Sequence, residues 1–198
     1  IKFSKMRLYY CFSVLISAFM IQGCVNKNNC TECPSEKGEM SFMNVNLAVD
    51  SIQNSLNQNY NHVEFPINLY EKLPFNLIVK NICSNKGQLI QIILNDTSTI
   101  KKEISLLAIQ HLCINDYLPL VEKLYANYKQ GKLAKTYFLY SMYTRLSNVL
   151  ARDYENENLR KFIDKLLIDK NFTKIEKDYF RKIKSGEIWE RVKNSPTS

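Results

Sequence analysis

Apolar residues recur at helical spacing through most of the chain beyond residue 98, and this pattern limits the possible folds more than any other feature. The clearest stripe comprises Leu159, Phe162, Ile163, Leu166 and Leu167. Apolar side chains three and four residues apart lie on one face of a helix, whereas strands alternate every second residue. Glycine, which hairpin turns and phosphate-binding loops need, occurs only five times in 198 residues. The pattern therefore predicts an all-α fold.

The stretch between residues 44 and 95 gives a weaker helical signal. A helix is expected to begin near Asn44 or Asn46, because apolar residues then follow at spacings of three and four. Residues 63–95 contain two short apolar runs that fit either a helix or a strand. We interpret both runs as helices because their neighbours are helical, with a break between them at 85–87.

Helix boundaries are sharper from Ser98 onward. Ser98 or Thr99 is expected to cap a helix that is buried on several sides. The next helix should start at Asp116 and end just before Gly131, since glycine is favoured immediately after a helix. A further long helix is predicted over 132–151.

The last helix is predicted near the carboxyl end of the chain. Ile175, Tyr179 and Ile183 recur at spacings of four and are expected to form its buried face. Gly186 should interrupt the helix, which then resumes.

Two short segments resemble one another. "NDYLPLVEKL" at 115–124 and "NENLRKFIDKLL" at 156–167 match at an offset of about 41 residues, and each follows a longer apolar helix. An offset near 40 residues with paired helices is similar to HEAT-type repeats over 98–170. Such repeats need about three units to stack stably, so residues 44–95 would have to complete the core. The resemblance implies a short HEAT-like stack, and an irregular helical bundle is the alternative.

The amino-terminal segment has the build of a signal peptide. Leu8 to Ile21 carries no charge and is too short to cross a bilayer, which needs about 20 residues. The basic residues ahead of it are Lys2, Lys5 and Arg7. A basic lead, a short apolar core and a small residue at its end are typical of secretory signal peptides, here residues 1–23. The prediction holds even if translation starts at Met6.

The end of this segment, "IQGC", resembles the lipobox of bacterial lipoproteins. The resemblance rests on aliphatic Ile21, small Gly23 and the thiol of Cys24. It implies that Cys24 takes a diacylglyceryl group, that the signal peptide is cut after Gly23, and that a fatty acid such as palmitate acylates the new amino terminus. The alternatives are an ordinary secretory signal peptide, or an uncleaved anchor in which Cys24 is merely apolar.

The resemblance also implies a location and a domain organisation. Residue 25 is Val rather than the Asp that resembles an inner-membrane retention signal, which favours the outer membrane facing the periplasm. Residues 24–43 are polar without a period and are interpreted as a tether, and 44–198 as a single helical domain. Because the protein would be exported, we expect no nucleic-acid partner.

The remaining cysteines suggest a disulfide. Cys30 and Cys33 form "CTEC", and outside the cytosol the expected outcome is a disulfide between them. A zinc site built from these two cysteines with His111 and Cys113 is the alternative. However, His111 and Cys113 are two residues apart on a predicted helix and would point to different sides, so we predict no metal site. Cys83 and Cys113 are interpreted as buried apolar residues.

Charge and tyrosines are both concentrated in the second half of the chain. Residues 120–198 hold seventeen Lys and Arg against ten Asp and Glu, whereas 24–119 hold seven against nine. The predicted partner surface combines basic and aromatic side chains and comprises Lys129, Lys132, Lys135, Tyr137, Tyr140 and Arg145. Tyrosine offers large contact area with a hydroxyl, and the basic charge favours an acidic partner. The alternative is an aromatic core with hydroxyls at its rim and lysines that only solvate helix faces.

No catalytic motif accompanies His62 or His111, and no cofactor or small-molecule substrate is implied. We therefore expect a non-enzymatic envelope lipoprotein that binds a protein partner, as a scaffold or an accessory subunit. One alternative is an immunity or inhibitor lipoprotein that neutralises an exported toxin. Another is a cell-wall hydrolase, whose acid and base would come from residues such as Glu103, Glu122 and Glu176.

Overall fold

The computed structural model describes residues 33, 44–57, 73–143 and 147–194. Over these residues it contains ten α-helices and no β-strand, which confirms the predicted all-α class. None of the helices described is both long and apolar enough to cross a bilayer. The described residues fall into two compact units, 33–143 and 147–194, which are treated separately below. The interpretation of 44–198 as a single domain stays a prediction.

The described part of the first unit contains six helices. They are α1 (Val45–Asn57), α2 (Leu73–Lys80), α3 (Ile82–Asn95), α4 (Thr99–Ile109), α5 (Ile114–Lys129) and α6 (Lys135–Tyr143). α3 and α4 form the most extensive helix pair, α1 packs on α2 and α4, and α5 packs on α6. The two apolar runs within 63–95 are therefore helices, as predicted.

The predicted break at 85–87 is wrong, because α3 runs through these residues without interruption. The side chain of Asn85 is buried, and its Nδ2 donates to the carbonyl oxygen of Ile78, 3.3 Å away. Gly87 is exposed and faces open space, so neither residue disturbs the helix. The break lies instead at Asn81, whose Nδ2 donates to the carbonyl oxygen of Leu77 over 2.9 Å at the end of α2.

Local capping sets the ends of α4 and α5. The Ser98 hydroxyl accepts from the backbone N–H of Lys101 over 3.3 Å, which confirms the predicted cap. Residues 104–109 are all buried, as expected for a helix surrounded on several sides. α5 begins at Ile114, two residues before the predicted start at Asp116. It ends before Gly131, whose φ of 71° is a left-handed conformation that favours glycine.

A buried tyrosine joins α5 to α6. Tyr117 is fully buried, and its hydroxyl donates to the backbone carbonyl oxygen of Ser141 over 2.9 Å. Burial raises the pKa of the Tyr117 hydroxyl, so the group stays protonated and serves as a donor. Ser141 is also buried, and its Oγ donates to the carbonyl oxygen of Phe138 over 2.6 Å.

The second unit contains four helices over 147–194. They are α7 (Ser147–Arg152), α8 (Glu157–Ile168), α9 (Lys174–Lys184) and α10 (Glu187–Lys193). α8 packs on α9, and α7 packs on α9 and α10. The single helix predicted over 132–151 cannot be traced as such, because 144–146 lie outside the described residues.

The turn between α9 and α10 depends on a glycine. Gly186 has a φ of 79°, and a Cβ there would lie 3.0 Å from ring atoms of Tyr154. The predicted interruption at Gly186 is confirmed. The predicted burial of Ile175 is wrong, because its side chain is 82% exposed. The predicted burial of Ile183 is confirmed, whereas Tyr179 is only half-buried. α9 begins only at Lys174, and the other buried positions in this region are those of Phe172 and Phe180.

Candidate functional site

A disulfide fixes the predicted tether to the helices of the first unit. Cys33 is bonded to Cys83 on α3, with the two Cα atoms 5.2 Å apart. The predicted disulfide between Cys30 and Cys33 is therefore wrong, because a cysteine forms only one disulfide and Cys33 is bonded to Cys83. Sequence spacing favoured a nearby partner, but the packing of the chain places Cys33 next to a residue 50 positions away.

Cys113 is also disulfide-bonded. The predicted burial of Cys113 is confirmed, whereas Cys83 is only half-buried. Both residues are disulfide-bonded, so the interpretation that they act only as apolar side chains was wrong. The disulfides use the sulfurs of Cys33 and Cys113 that the alternative zinc site would have needed. Over the described residues, no group of three or more His, Cys, Asp or Glu is placed to hold a metal ion.

The carboxylate of Asp116 binds both the backbone of Cys33 and the side chain of Lys86. Its Oδ2 accepts from the backbone N–H of Cys33 over 3.0 Å, and its Oδ1 lies 2.7 Å from Nζ of Lys86 on α3. Asp116 also stands in the first turn of α5, where the helix dipole favours a carboxylate. We call Cys33, Cys83, Lys86 and Asp116 the tether junction. The sequence indicated only a helix start at Asp116, because its partners are distant in the chain.

The predicted partner surface lies at the α5–α6 turn and along α6. Lys129 and Lys132 are exposed, Lys135 is half-buried, and Arg145 lies outside the described residues. Tyr137 and Tyr140 are half-buried on α6. The structure thus brings the three lysines and two tyrosines onto neighbouring parts of one unit.

Tyr137 joins this surface to the start of α4. Its hydroxyl donates to Oγ1 of Thr99 over 3.3 Å. Nζ of Lys102 lies 5.0 Å from the centroid of its ring, which is a cation–π arrangement. Lys102 was not among the predicted surface residues, because it lies 35 positions away and only the fold places it there.

Other tyrosines of the basic half serve packing. Tyr125 lies 5.4 Å and Tyr128 6.0 Å from the buried ring of Phe138, measured between ring centroids. Both tyrosines are half-buried. These rings fill the space between α5 and α6, as the alternative interpretation of an aromatic core proposed.

Carboxylates of the first unit are used at helix junctions. Lys101 pairs with Asp50 on α1 and with Asp96, whose Oδ2 lies 3.6 Å from its Nζ. The hydrogen bond to Asp50 raises the pKa of Lys101. Desolvation by burial raises the pKa of Glu103, one of the hydrolase candidates. A single perturbed carboxyl group does not make an acid–base pair.

A groove of about 470 Å³ lies beside α3. Its lining is rich in carboxamides and comprises Asn46, Gln88, Gln91, Ile92, Asn95 and Asp96. Nδ2 of Asn95 donates to Oε1 of Gln91 over 2.7 Å, so two of these amides already satisfy one another. The groove is open and contains no catalytic grouping.

No protein-family model, curated protein or solved structure matches this chain.

Proposed function

We propose that the chain is a lipid-anchored protein of the bacterial envelope whose helical part binds a protein partner and catalyses no reaction. The observation that carries the proposal is the disulfide between Cys33 and Cys83. Disulfides persist in exported proteins and are rare in the reducing cytosol. The bond therefore supports export independently of the lipobox-like residues Ile21, Gly23 and Cys24.

The tether junction also supports an action close to the membrane. Nine residues lead from Cys24 to Cys33, so the chain between them spans at most roughly 30 Å. With acyl chains on Cys24, the disulfide would hold the first unit within that distance of the bilayer. Two or three acyl chains make such attachment stable, whereas one chain gives only marginal binding.

The basic and aromatic surface of the first unit supports a protein partner. Lys129 and Lys132 are exposed at the α5–α6 turn. Tyr137 adds a ring that Lys102 and Thr99 hold in place. Tyrosine is enriched among the residues that dominate binding energy, and clustered positive charge steers an acidic partner toward the site.

Fatty-acid labelling tests the anchor. Cells that express the whole chain should incorporate radioactive palmitate into it, and Cys24→Ala should abolish the label. Cys33→Ala is the matched control, because it removes a cysteine nine residues away that the lipobox resemblance does not involve. Equal labelling of the parent chain and of Cys24→Ala would contradict the proposed anchor.

Charge reversal tests the partner surface. A partner identified by cross-linking to the parent chain should be captured roughly tenfold less by Lys132→Glu, because a like-charge contact replaces an attraction. Lys80→Glu is the matched control, since Lys80 is also an exposed lysine and lies at the end of α2. Equal capture by both variants would exclude this surface as the binding site.

A further inference from the structure

The corner between α8 and α9 exposes apolar and basic side chains together. Ile168 ends α8 and is 80% exposed, and Ile175 in the first turn of α9 is 82% exposed. They are the two most exposed large apolar residues in the described part of the chain. The exposed lysines around them are Lys161, Lys165, Lys170 and Lys174. We call residues 165–175 the basic–apolar corner.

The corner is held in one conformation by packing and caps. Phe172 is buried at its centre, edge-on to Phe180 with ring centroids 5.2 Å apart. Thr173 and Glu176 form a reciprocal capping box at the start of α9. The exposure of the two isoleucines is therefore a property of a packed and capped turn, and no packing contact among the described residues accounts for it.

The backbone of the corner is largely satisfied from within. The N–H of Asp169 donates to the carbonyl oxygen of Leu166, and that of Phe172 donates to the carbonyl oxygen of Asp169. The N–H of Asn171 donates to Oδ1 of Asp169 over 2.9 Å, and that of Thr173 donates to Oε2 of Glu176 over 2.7 Å. Because four N–H groups of the turn already have acceptors, its entry into a poorly hydrated environment costs less than that of an unpaired turn.

The carboxylates nearest in sequence are engaged elsewhere. Asp164 pairs with Lys184. Asp169 and Glu176 accept the backbone bonds of the corner. Among the described residues, no carboxylate lies within ion-pair distance of the lysines of the corner. The positive charge of the corner is therefore available to an external anion.

Lys174 lies at a position where a positive charge does not stabilise the fold. It is the first residue of α9, and the positive end of the helix dipole disfavours a cation there. A lysine beside a nearly fully exposed isoleucine at this position costs stability and brings no described contact in return.

We propose that the basic–apolar corner is a contact site for an anionic lipid bilayer. Ile168 and Ile175 enter the headgroup region, while Lys165, Lys170 and Lys174 bind lipid phosphates. Lysine suits this role, because its apolar stem can follow the isoleucines inward while its ammonium stays among the headgroups. Each lysine near an anionic surface strengthens binding about fivefold. The site goes beyond the proposed function and does not depend on acylation of Cys24.

Vesicle co-sedimentation tests the proposal with a chain that cannot be acylated, lacking residues 1–23 and carrying Cys24→Ser. Vesicles of phosphatidylglycerol and phosphatidylcholine in equal parts should bind this chain, and vesicles of phosphatidylcholine alone should bind it far less. Binding should weaken as salt is added, because salt screens surface charge. Circular dichroism checks that each variant keeps its helices.

Two pairs of variants locate the contact. Ile168→Asn with Ile175→Asn should lower the partition coefficient at least roughly tenfold. Leu47→Asn with Leu73→Asn is the matched control, because these leucines are 65% and 69% exposed in the other unit. Lys165→Glu with Lys174→Glu should lower it by roughly 25-fold or more. Lys80→Glu with Lys123→Glu replaces two other exposed lysines and controls for net charge.

Equal binding of corner and control variants would overturn the proposal, as would parent binding that ignores phosphatidylglycerol. Loss of an acidic protein partner by the corner variants, with vesicle binding unchanged, would overturn it in favour of a protein occupant. The anchor is tested separately by palmitate labelling. A labelled chain whose corner does not bind vesicles refutes only the corner, and an unlabelled chain whose corner does bind them refutes only the anchor.

Discussion

The two units of this protein differ in the sequence separation of the residues that their internal polar contacts and disulfides join. In the first unit, the disulfide joins positions 50 residues apart, and the bond from Tyr117 joins positions 24 residues apart. In the second, polar links such as the Thr173–Glu176 capping box are mostly local. The first unit therefore depends on partners that only the fold brings together. The polar contacts that stabilise the second unit mostly join residues that are close in sequence.

Removal of the disulfide should have the largest effect on stability, and this effect should be greater in the first unit than in the second. Replacing Cys33 and Cys83 together by Ala frees a loop of 50 residues in the unfolded chain. The loss should be about 4 kcal/mol of unfolding free energy. Hydrogen exchange followed by mass spectrometry should show faster exchange in α3 and a smaller change in α8.

Trp189 makes this comparison sharper, because it is the single tryptophan of the chain and lies on α10. Its fluorescence reports on the second unit. Unchanged exchange in α3 after the double replacement would show that the disulfide contributes little to the stability of the first unit.

The matching change in the second unit is the loss of a core aromatic ring. Phe172→Ala removes a buried ring that packs on Phe180, and should cost about 3 kcal/mol. Denaturant unfolding followed by Trp189 fluorescence measures the loss. Ile175→Ala should shift the same transition by less than about 0.5 kcal/mol, because its side chain is exposed. A large loss from Ile175→Ala would mean that Ile175 has a packing role, and would weaken the case for the basic–apolar corner.

The long-range hydrogen bond of the first unit should have a smaller effect. Tyr117→Phe keeps the buried ring but removes the donor to the carbonyl oxygen of Ser141, at a cost of about 1.5 kcal/mol. Tyr137→Phe is the control, because its bond to Thr99 is exposed and worth little. Equal losses from the two variants would indicate that the effect is not due to burial. Thermal unfolding of both variants provides the measurement.

The same difference in range explains how much the sequence could predict. The cap at Ser98 and the interruption at Gly186 were predictable, because each depends on a residue and its neighbours. The pairing of Cys33 with Cys83 was not, since cysteine spacing does not specify partners. The clamp at Asp116 was missed for the same reason, because its two partners lie 30 and 83 residues away.

In the candidate surfaces too, features that depend on neighbouring residues were predictable, and contacts between distant residues were not. Lys129 and Lys132 were predictable as exposed lysines, but the placement of Lys102 over the ring of Tyr137 required the fold. Ile175 was misassigned because a spacing of four fits a helical stripe, although α9 begins only one residue earlier. A helix cap at Thr173, signalled by Glu176 three residues later, would have been the clue.

A local cap in the second unit should have an effect of about 1 kcal/mol. Oδ1 of Asn156 accepts from the backbone N–H groups of Asn158 and Leu159, at 3.0 and 3.1 Å, so Asn156→Ala leaves both donors without it. Asn158→Ala should be neutral or slightly stabilising, because Asn158 is exposed within the helix and alanine is the better helix former. Trp189 fluorescence during denaturation compares them. A larger loss from Asn158→Ala would show that the unit is not stabilised by this cap.

The smallest effect should be a pH dependence confined to the first unit. Burial raises the pKa of Glu103 above its usual value of 4.5, so the folded state holds this proton more tightly than the unfolded state. The stabilisation is fully present below that value and is lost as pH rises through the higher pKa of the folded state. Glu103→Gln should therefore be slightly more stable than the parent at pH 7 and should lose this advantage near pH 4. Exchange rates in α4 at the two pH values measure the difference, with Glu122→Gln as the exposed control. An advantage of equal size at both pH values would mean that the half-buried charge of Glu103 does not cause it. The first unit would then owe its stability to covalent and hydrogen-bonded links without a penalty from Glu103.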